Sequence, residues 1–242
     1  MPLSDSRRVL VTGASTGIGK ATAIAFAKAE FEVALVSRSK PKLSALADEL
    51  TSLGAPNVGV FSVDLAALPQ VKPTIEHIVE TFGPLDVLVN NAGMGYTGNL
   101  LEMSLEDWQQ MMNLNLTSAF QCIQAVLPSM RARQTGLIVN IASIAARQAF
   151  PDWGAYGVSK AALLALSRAV SVEEKGHGVR VTTVLPGAVN TPLWDTDTVQ
   201  ADFDRSGMLT PEIVANSILH TARLPAEAVI EELTLMPSGG AL

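Results

Sequence analysis

Along the chain, short runs of consecutive apolar residues alternate with stretches in which apolar positions recur every three or four residues. The runs are RRVLVT (7–12), EVALVS (32–37), VGVFSV (58–63), LDVLVN (85–90), GLIVNI (136–141) and VRVTTVL (179–185), with a weaker one, VIEELTLM (229–236), near the end. Each reads as a strand, and near-continuous apolarity is what a parallel sheet covered on both faces requires. Between them fall helical patterns. They are GKATAIAFAKA (19–29), KLSALADELTSLG ended by Gly54, and a segment with apolar Val71, Ile75, Ile78, Val79 and Phe82. That segment has Pro69 and Pro73 at its entry and Gly83 at its exit. The long stretch SLEDWQQMMNLNLTSAFQCIQAVLPSM and AYGVSKAALLAL (155–166) complete the set. The alternation predicts an α/β fold, a doubly wound parallel sheet of about seven strands with helices on both faces. Only 187–209 lacks clear periodicity, and a loop of that length in a compact domain is expected to be a substrate lid.

Composition narrows the picture. With 242 residues, 48% of them hydrophobic and 17% charged, the chain reads as one domain over 1–242 with a sizeable core. Lys plus Arg total 17 against 23 Asp plus Glu, a net charge of −6 that repels a phosphate backbone and argues against a nucleic-acid partner. A single cysteine, Cys122 in the helical AFQCIQAVL, rules out an internal disulfide and fits a reducing compartment. The start, MPLSDSRRVLVTG, lacks the apolar region of a signal peptide, and no run of 18 apolar residues occurs. A cytoplasmic protein without a membrane partner is expected. His77, His177 and His220 lie far apart without a cysteine cluster, so no metal is expected.

Directly after the first run comes TGASTGIG (12–19), opening a helix, and this context gives a glycine motif its meaning. Gly13 suits the tight turn, Gly17 lets a ligand approach the backbone, and Gly19 lets helix and strand pack closely. The helix amides then face a pyrophosphate, the arrangement of a Rossmann fold. At the end of the second strand, where a carboxylate would accept bonds from the adenosine ribose, stand Ser37 and Arg38. A guanidinium there favours a 2′-phosphate, hence NADP(H) over NAD(H), although Thr16 supplies no second basic residue. Asp64, closing the third strand, suits either the adenine amino group or a helix N-cap.

The helix AYGVSKAALLAL carries a phenol, Tyr156, and an ammonium, Lys160, four residues apart and so on one face. Together TGASTGIG, NNAG (90–93), Ser143, YGVSK (156–160) and PGAVNT (186–191) resemble the short-chain dehydrogenase/reductase family over about residues 7–191. The resemblance implies Tyr156 as catalytic acid/base with Lys160 as its partner, and Ser143 orienting the substrate oxygen. It implies Asn115 in a proton relay, a choice between Asn113 and Asn115 that rests on the motif alone. Asn90 is expected to tie strands together. The implied cofactor contacts are Gly13, Ser15, Thr16, Gly17, Ile18, Gly19, Ser37, Arg38, Asp64, Leu65, Asn91, Ala92 and Gly93. Tyr156, Lys160, Pro186, Gly187, Val189 and Thr191 complete them around the nicotinamide. A homotetramer or homodimer is implied, with contacts around 105–130 and 155–174. The ending EELTLMPSGGAL lacks the family's usual glycine-rich tail and leaves the choice open.

Hydride transfer to a carbonyl leaves an alkoxide that must gain a proton. A phenol with an ordinary pKa of about 10 needs help to run the reverse direction, and the Lys160 ammonium is expected to lower it. Ser143 lies thirteen residues before Tyr156, within reach through a loop. The expected substrate wall, Met94, Gly95, Tyr96, Ala145, Gln148, Phe150, Trp153 and Trp194, is mostly apolar and aromatic. It suits a neutral ketone, aldehyde or thioester as the small-molecule partner. A 3-oxoacyl-(acyl-carrier-protein) reductase is the alternative, with Arg147 and Arg205 as its basic surface. A non-catalytic NADP(H) sensor or scaffold is the alternative of another class.

Overall fold

The computed structural model describes residues 7–201 and 204–240. Seven strands form one sheet: β1 Arg8–Thr12, β2 Glu32–Ser37, β3 Val58–Ser62, β4 Val87–Asn90, β5 Gly136–Ile141, β6 Val179–Pro186 and β7 Glu232–Leu235. Their order is β3-β2-β1-β4-β5-β6-β7, and every pairing is parallel. The doubly wound sheet is therefore as expected, with its strand order reversing between β1 and β4. A crevice opens beyond the carboxyl ends of the strands at such a switch point.

Alternate residues of each strand enter opposite cores. Val9, Val11, Val33, Leu35, Val89 and Val139 pack with α1 Gly17–Ala27, α2 Lys40–Ser52 and α7 Pro211–Arg223. Leu10, Ala34, Val36, Leu88 and Ile138 pack with α3 Leu68–Phe82, α5 Ser118–Arg133 and α6 Gly154–Glu174. This two-sided burial is why the strands read as unbroken apolar runs. Cys122 lies in the second core, where burial pushes its thiol up to about 12 and leaves it inert.

Three elements differ from expectation. The long helical stretch is divided into α4 Leu105–Met112 and α5 by a π turn, Asn113–Thr117, in which Ser118 N–H reaches back to Asn113 O. The last strand is four residues, Glu232–Leu235, because only these pair with β6. Helix α7 was not among the expected elements, although Thr210, Pro211 and Glu212 form a helix start and Val214, Ile218 and Ala222 give its buried face. Among the described residues no helix is long and apolar enough to cross a membrane.

The segment after β6 is not a free loop. Val189 bridges Leu209, with Asn190 N–H donating to Leu209 O at 2.9 Å and Leu209 N–H to Ala188 O at 3.0 Å. Its outer part carries a 3-10 turn, Pro192–Asp195, and is tied to the loop after β4. There Thr198 Oγ1 donates to Gly95 O at 2.7 Å and Thr97 N–H to Thr198 O at 2.9 Å. Positions 202 and 203 of this expected lid, like the ends of the 1–242 domain, lie outside the described residues.

Candidate active site

The β1–α1 turn forms because two glycines take the left-handed backbone, Gly13 at φ 64° and Gly17 at φ 53°. Gly19 has another role. A Cβ on it would lie 2.3 Å from Gly13 O and 2.5 Å from Asn91 Nδ2. It closes the turn onto itself and does not line the cavity beyond it. Thr16 at the helix N-terminus makes no side-chain cap, and the first turn carries no acidic residue, so the opening amides of α1 are available to an anion.

A cavity of about 610 Å³ runs from this turn to the start of α6. One end is lined by Ser37, Arg38, Lys42, Asp64 and Leu65, the middle by Ser15, Thr16, Ile18 and Asn91 to Gly93. The other end is lined by Ser143, Ala145, Tyr156, Lys160, Pro186, Gly187, Val189 and Thr191. The first end offers an unpartnered hydroxyl and positive charge, groups that can hold an anion. Ser37 Oγ is buried without a protein partner, and two cations, Arg38 and Lys42, line the same cavity. Lys42 was missed in the sequence; its signal was its place in the first turn of the helix after β2. Asp64 is no N-cap, since its Oδ1 accepts from Ala66 N–H at 3.0 Å and α3 begins only at Leu68.

At the other end, Ser143 Oγ accepts from Ala145 N–H at 3.1 Å, and Ser143 and Tyr156 line the same part of the cavity. Lys160, almost fully buried, donates to Ile141 O at 2.9 Å and lies 5.7 Å from the Tyr156 ring centroid. The direction expected for the phenol is reversed. Desolvation raises the Tyr156 pKa, and the Ser143 hydroxyl only partly offsets this. The same burial pulls Lys160 down to about 8, so the cation meant to tune the phenol is itself easily neutralised.

Asn115 stands one layer behind the cavity. The π turn aims its carboxamide inward, where Oδ1 accepts from Met94 N–H at 2.8 Å and Nδ2 donates to Met94 O at 3.0 Å. Asn90 bonds Asn140 across β4 and β5 at 2.9 Å, the strand tie expected of it. Of the expected wall, Met94, Gly95, Ala145, Phe150, Trp153 and Trp194 line the cavity, joined by Ile144 and Leu193. Tyr96 and Gln148 do not; the Tyr96 ring lies against Gly98. Trp153 meets Tyr156 edge-on at 5.3 Å and Trp194 at 5.4 Å, so the aromatic wall reaches the phenol. Arg205 is paired with Asp195 at 2.7 Å, whereas Arg147 shares the one carboxylate of Glu232 with Arg168, a cluster of two guanidiniums and one carboxylate. Among the described residues no group of three or more His, Cys, Asp or Glu is placed to hold a metal ion.

Comparison with known proteins places this geometry in context. The family described as short chain dehydrogenase matches residues 7–201. A sepiapterin reductase of Chlorobaculum tepidum is 36% identical over 96% of both chains. A 3-oxoacyl-[acyl-carrier-protein] reductase of Synechocystis is also 36% identical, over 96% of this chain and 95% of that one. Among solved structures, the alcohol dehydrogenase of Thermococcus sibiricus complexed with 5-hydroxy-NADP superposes with a TM-score of 0.88. It is 31% identical, with 97% of each chain covered.

Burial of Lys160 has a stability consequence with a definite sign. Between about 8 and the ordinary 10.5, the unfolded chain holds the Lys160 proton and the folded one does not, so this group makes stability rise with pH. The buried ammonium therefore costs on the order of 3 kcal/mol at neutral pH. Tyr156 and Cys122, both raised, act oppositely at higher pH. The difference in urea midpoint between the wild type and Lys160→Met should thus move in favour of the wild type as pH goes from about 8 to 10. A difference independent of pH would contradict this account.

Proposed function

The chain belongs to the short chain dehydrogenase family, and from that premise we propose that it is an NADP(H)-dependent reductase of neutral carbonyl compounds, reversible as an alcohol dehydrogenase. The observation that carries the reading is the meeting of Ser143, Tyr156 and Lys160 at one end of a cavity whose other end holds Arg38 and Lys42. A bound nicotinamide supplies the hydride to the carbonyl carbon. Ser143 donates a hydrogen bond to the carbonyl oxygen and polarises it. Tyr156 delivers its proton to that oxygen, and a phenol held protonated by burial is the form reduction needs. Lys160, one turn along α6, stabilises the phenolate left behind, and Asn115 beside it belongs to the relay that returns the proton.

The cofactor preference rests on Arg38 and Lys42, on Ser37 Oγ waiting for a partner, and on a strand end without a carboxylate. The substrate reading rests on the wall of Phe150, Trp153, Leu193 and Trp194, with the segment 187–209 as the lid. An acyl-carrier thioester is the alternative. Arg205 is paired with Asp195, but Arg147 and Arg168 share the one carboxylate of Glu232, so these three groups carry net positive charge that an acidic carrier could meet. Self-association as a dimer or tetramer is proposed through α5 and α6, where Phe120, Val158 and Val172 are exposed. A cytoplasmic setting suits the lone buried thiol.

Absorbance loss of NADPH with a panel of apolar ketones, aldehydes and one 3-oxoacyl thioester tests the reading. Turnover of the uncharged carbonyls is expected, with kcat reduced by about 10³ or more in Tyr156→Phe. Tight NADPH binding with no turnover would favour the sensor instead. Arg38→Asp with Lys42→Glu should lower the NADPH-to-NADH ratio of kcat/KM by about 10–100-fold, the worth of one charge-assisted contact. An unchanged ratio would remove the phosphate assignment. Light scattering should return twice or four times the 25.5 kDa chain mass.

A further inference from the structure

Helix α6 carries two buried serines that make the same pair of bonds. Ser159 Oγ accepts from Asn115 Nδ2 at 3.0 Å and donates to Tyr156 O at 2.7 Å. Eight residues on, Ser167 Oγ accepts from Asn140 Nδ2 at 2.8 Å and donates to Leu163 O at 2.7 Å. Both are almost wholly excluded from solvent, and each uses its one hydrogen and one of its lone pairs within the protein. The second ties the helix to β5. The first ties it to the π turn and, through Asn115, to the loop after β4.

We propose that Ser159 is a positioning residue for the reaction, holding Asn115 against the catalytic helix so that the corner shared by Asn115, Gly93 and Lys160 keeps its geometry. The proposal rests on the reductase reading above. Three observations carry it. A Cβ on Gly93 would lie 3.1 Å from Asn115 Oδ1 and 3.3 Å from Lys160 Nζ, so this corner has no slack. The Asn115 carboxamide uses both amide hydrogens, one on Met94 O and one on Ser159 Oγ. Loss of the serine hydroxyl would leave one hydrogen buried and unpaired, and the carboxamide would turn to find another acceptor. Finally, a π turn is a departure from regular helix, kept where an inward side chain is held by its surroundings. From α6 that hold is the Ser159 hydroxyl, and the same hydroxyl is bonded to the backbone of Tyr156.

Ser167 supplies the control, because its bonds match in kind and burial but lie away from the reacting end. The experiment measures kcat, KM, their pH dependence and the urea midpoint for Ser159→Ala, Ser159→Thr and Ser167→Ala. They are assayed beside the wild type and Tyr156→Phe, with NADPH and the best carbonyl of the panel. Both alanine variants should lose comparable stability. Only Ser159→Ala should lose kcat, by about tenfold or more, with KM little changed and the pH midpoint of kcat displaced. Ser159→Thr, which keeps the hydroxyl, should recover most of the loss. Wild-type kcat and pH profile in Ser159→Ala, or an equal loss of kcat in Ser167→Ala, would overturn the proposal. If Ser159→Ala does not fold, Ser159→Cys, similar in size and weak as a hydrogen-bonding group, replaces it: a loss of kcat supports the proposal and wild-type kcat overturns it. A wild type without turnover would instead sink the reductase reading, and this inference with it.

Discussion

The ends of β1 and β4 are bound together across the switch point of the sheet, and the rest of the site depends on that knot. Asn91 Nδ2 donates to Thr12 O at 2.9 Å and to Gly13 O at 3.3 Å. Thr12 Oγ1 in return accepts from the N–H groups of Asn91 and Ala92, at 2.9 and 3.0 Å. The glycine turn is thereby fixed to the strand that carries the next loop, and Gly19 must lack a Cβ because that knot fills its space. Parallel strands explain why such a place exists. Neighbouring chains leave β1 and β4 toward opposite faces, and the gap between them is open only at the carboxyl ends.

From that gap the chemistry is built by burial. Lys160 and Tyr156 share one face of α6, and both are shifted toward their neutral forms by loss of water. A neutral phenol is a ready proton donor, whereas an ammonium drawn toward neutrality is a strain on the fold. The fold sustains it through Ile141 O, which accepts from Nζ at 2.9 Å. Such sites trade stability for function. The apolar wall beside them adds no charge, since Trp153 packs edge-on against the phenol and Trp194 against Trp153. Trp194 is anchored by its indole N–H to Val189 O at 2.8 Å, so the 3-10 turn of the lid is held to the strand end beneath it.

Periodicity made the seven-strand sheet and most helices legible, because each parallel strand is buried on both faces and advertises that as an unbroken apolar run. Ordered motifs made the chemical end legible too, since a strand followed by TGASTGIG and the pair Tyr156 and Lys160 carry local geometry in their spacing. Helix α7 was readable and overlooked, for its Thr-Pro-Glu start is as plain as any other in the chain. The π turn was not readable. Residues 104–130 are uniformly helical in pattern, and the extra residue in the turn is imposed by what Asn115 finds in Met94 and Ser159.

The sequence alone carried the alternation of strands and helices and the shared face of Tyr156 and Lys160, because both show as short-range patterns along the chain. Tertiary structure decided which charges are free and which way the phenol titrates. Arg147 looks isolated in sequence but shares Glu232, 85 residues away, with Arg168, so two guanidiniums face one carboxylate there, whereas Arg205 meets Asp195 ten residues away. Lys42 looks like an ordinary surface lysine and lines the same cavity as Arg38 and the unpartnered Ser37 hydroxyl. The Tyr156 pKa moves up because the packing of several distant segments removes water from it, and desolvation is a property of the assembled surroundings that local spacing does not encode.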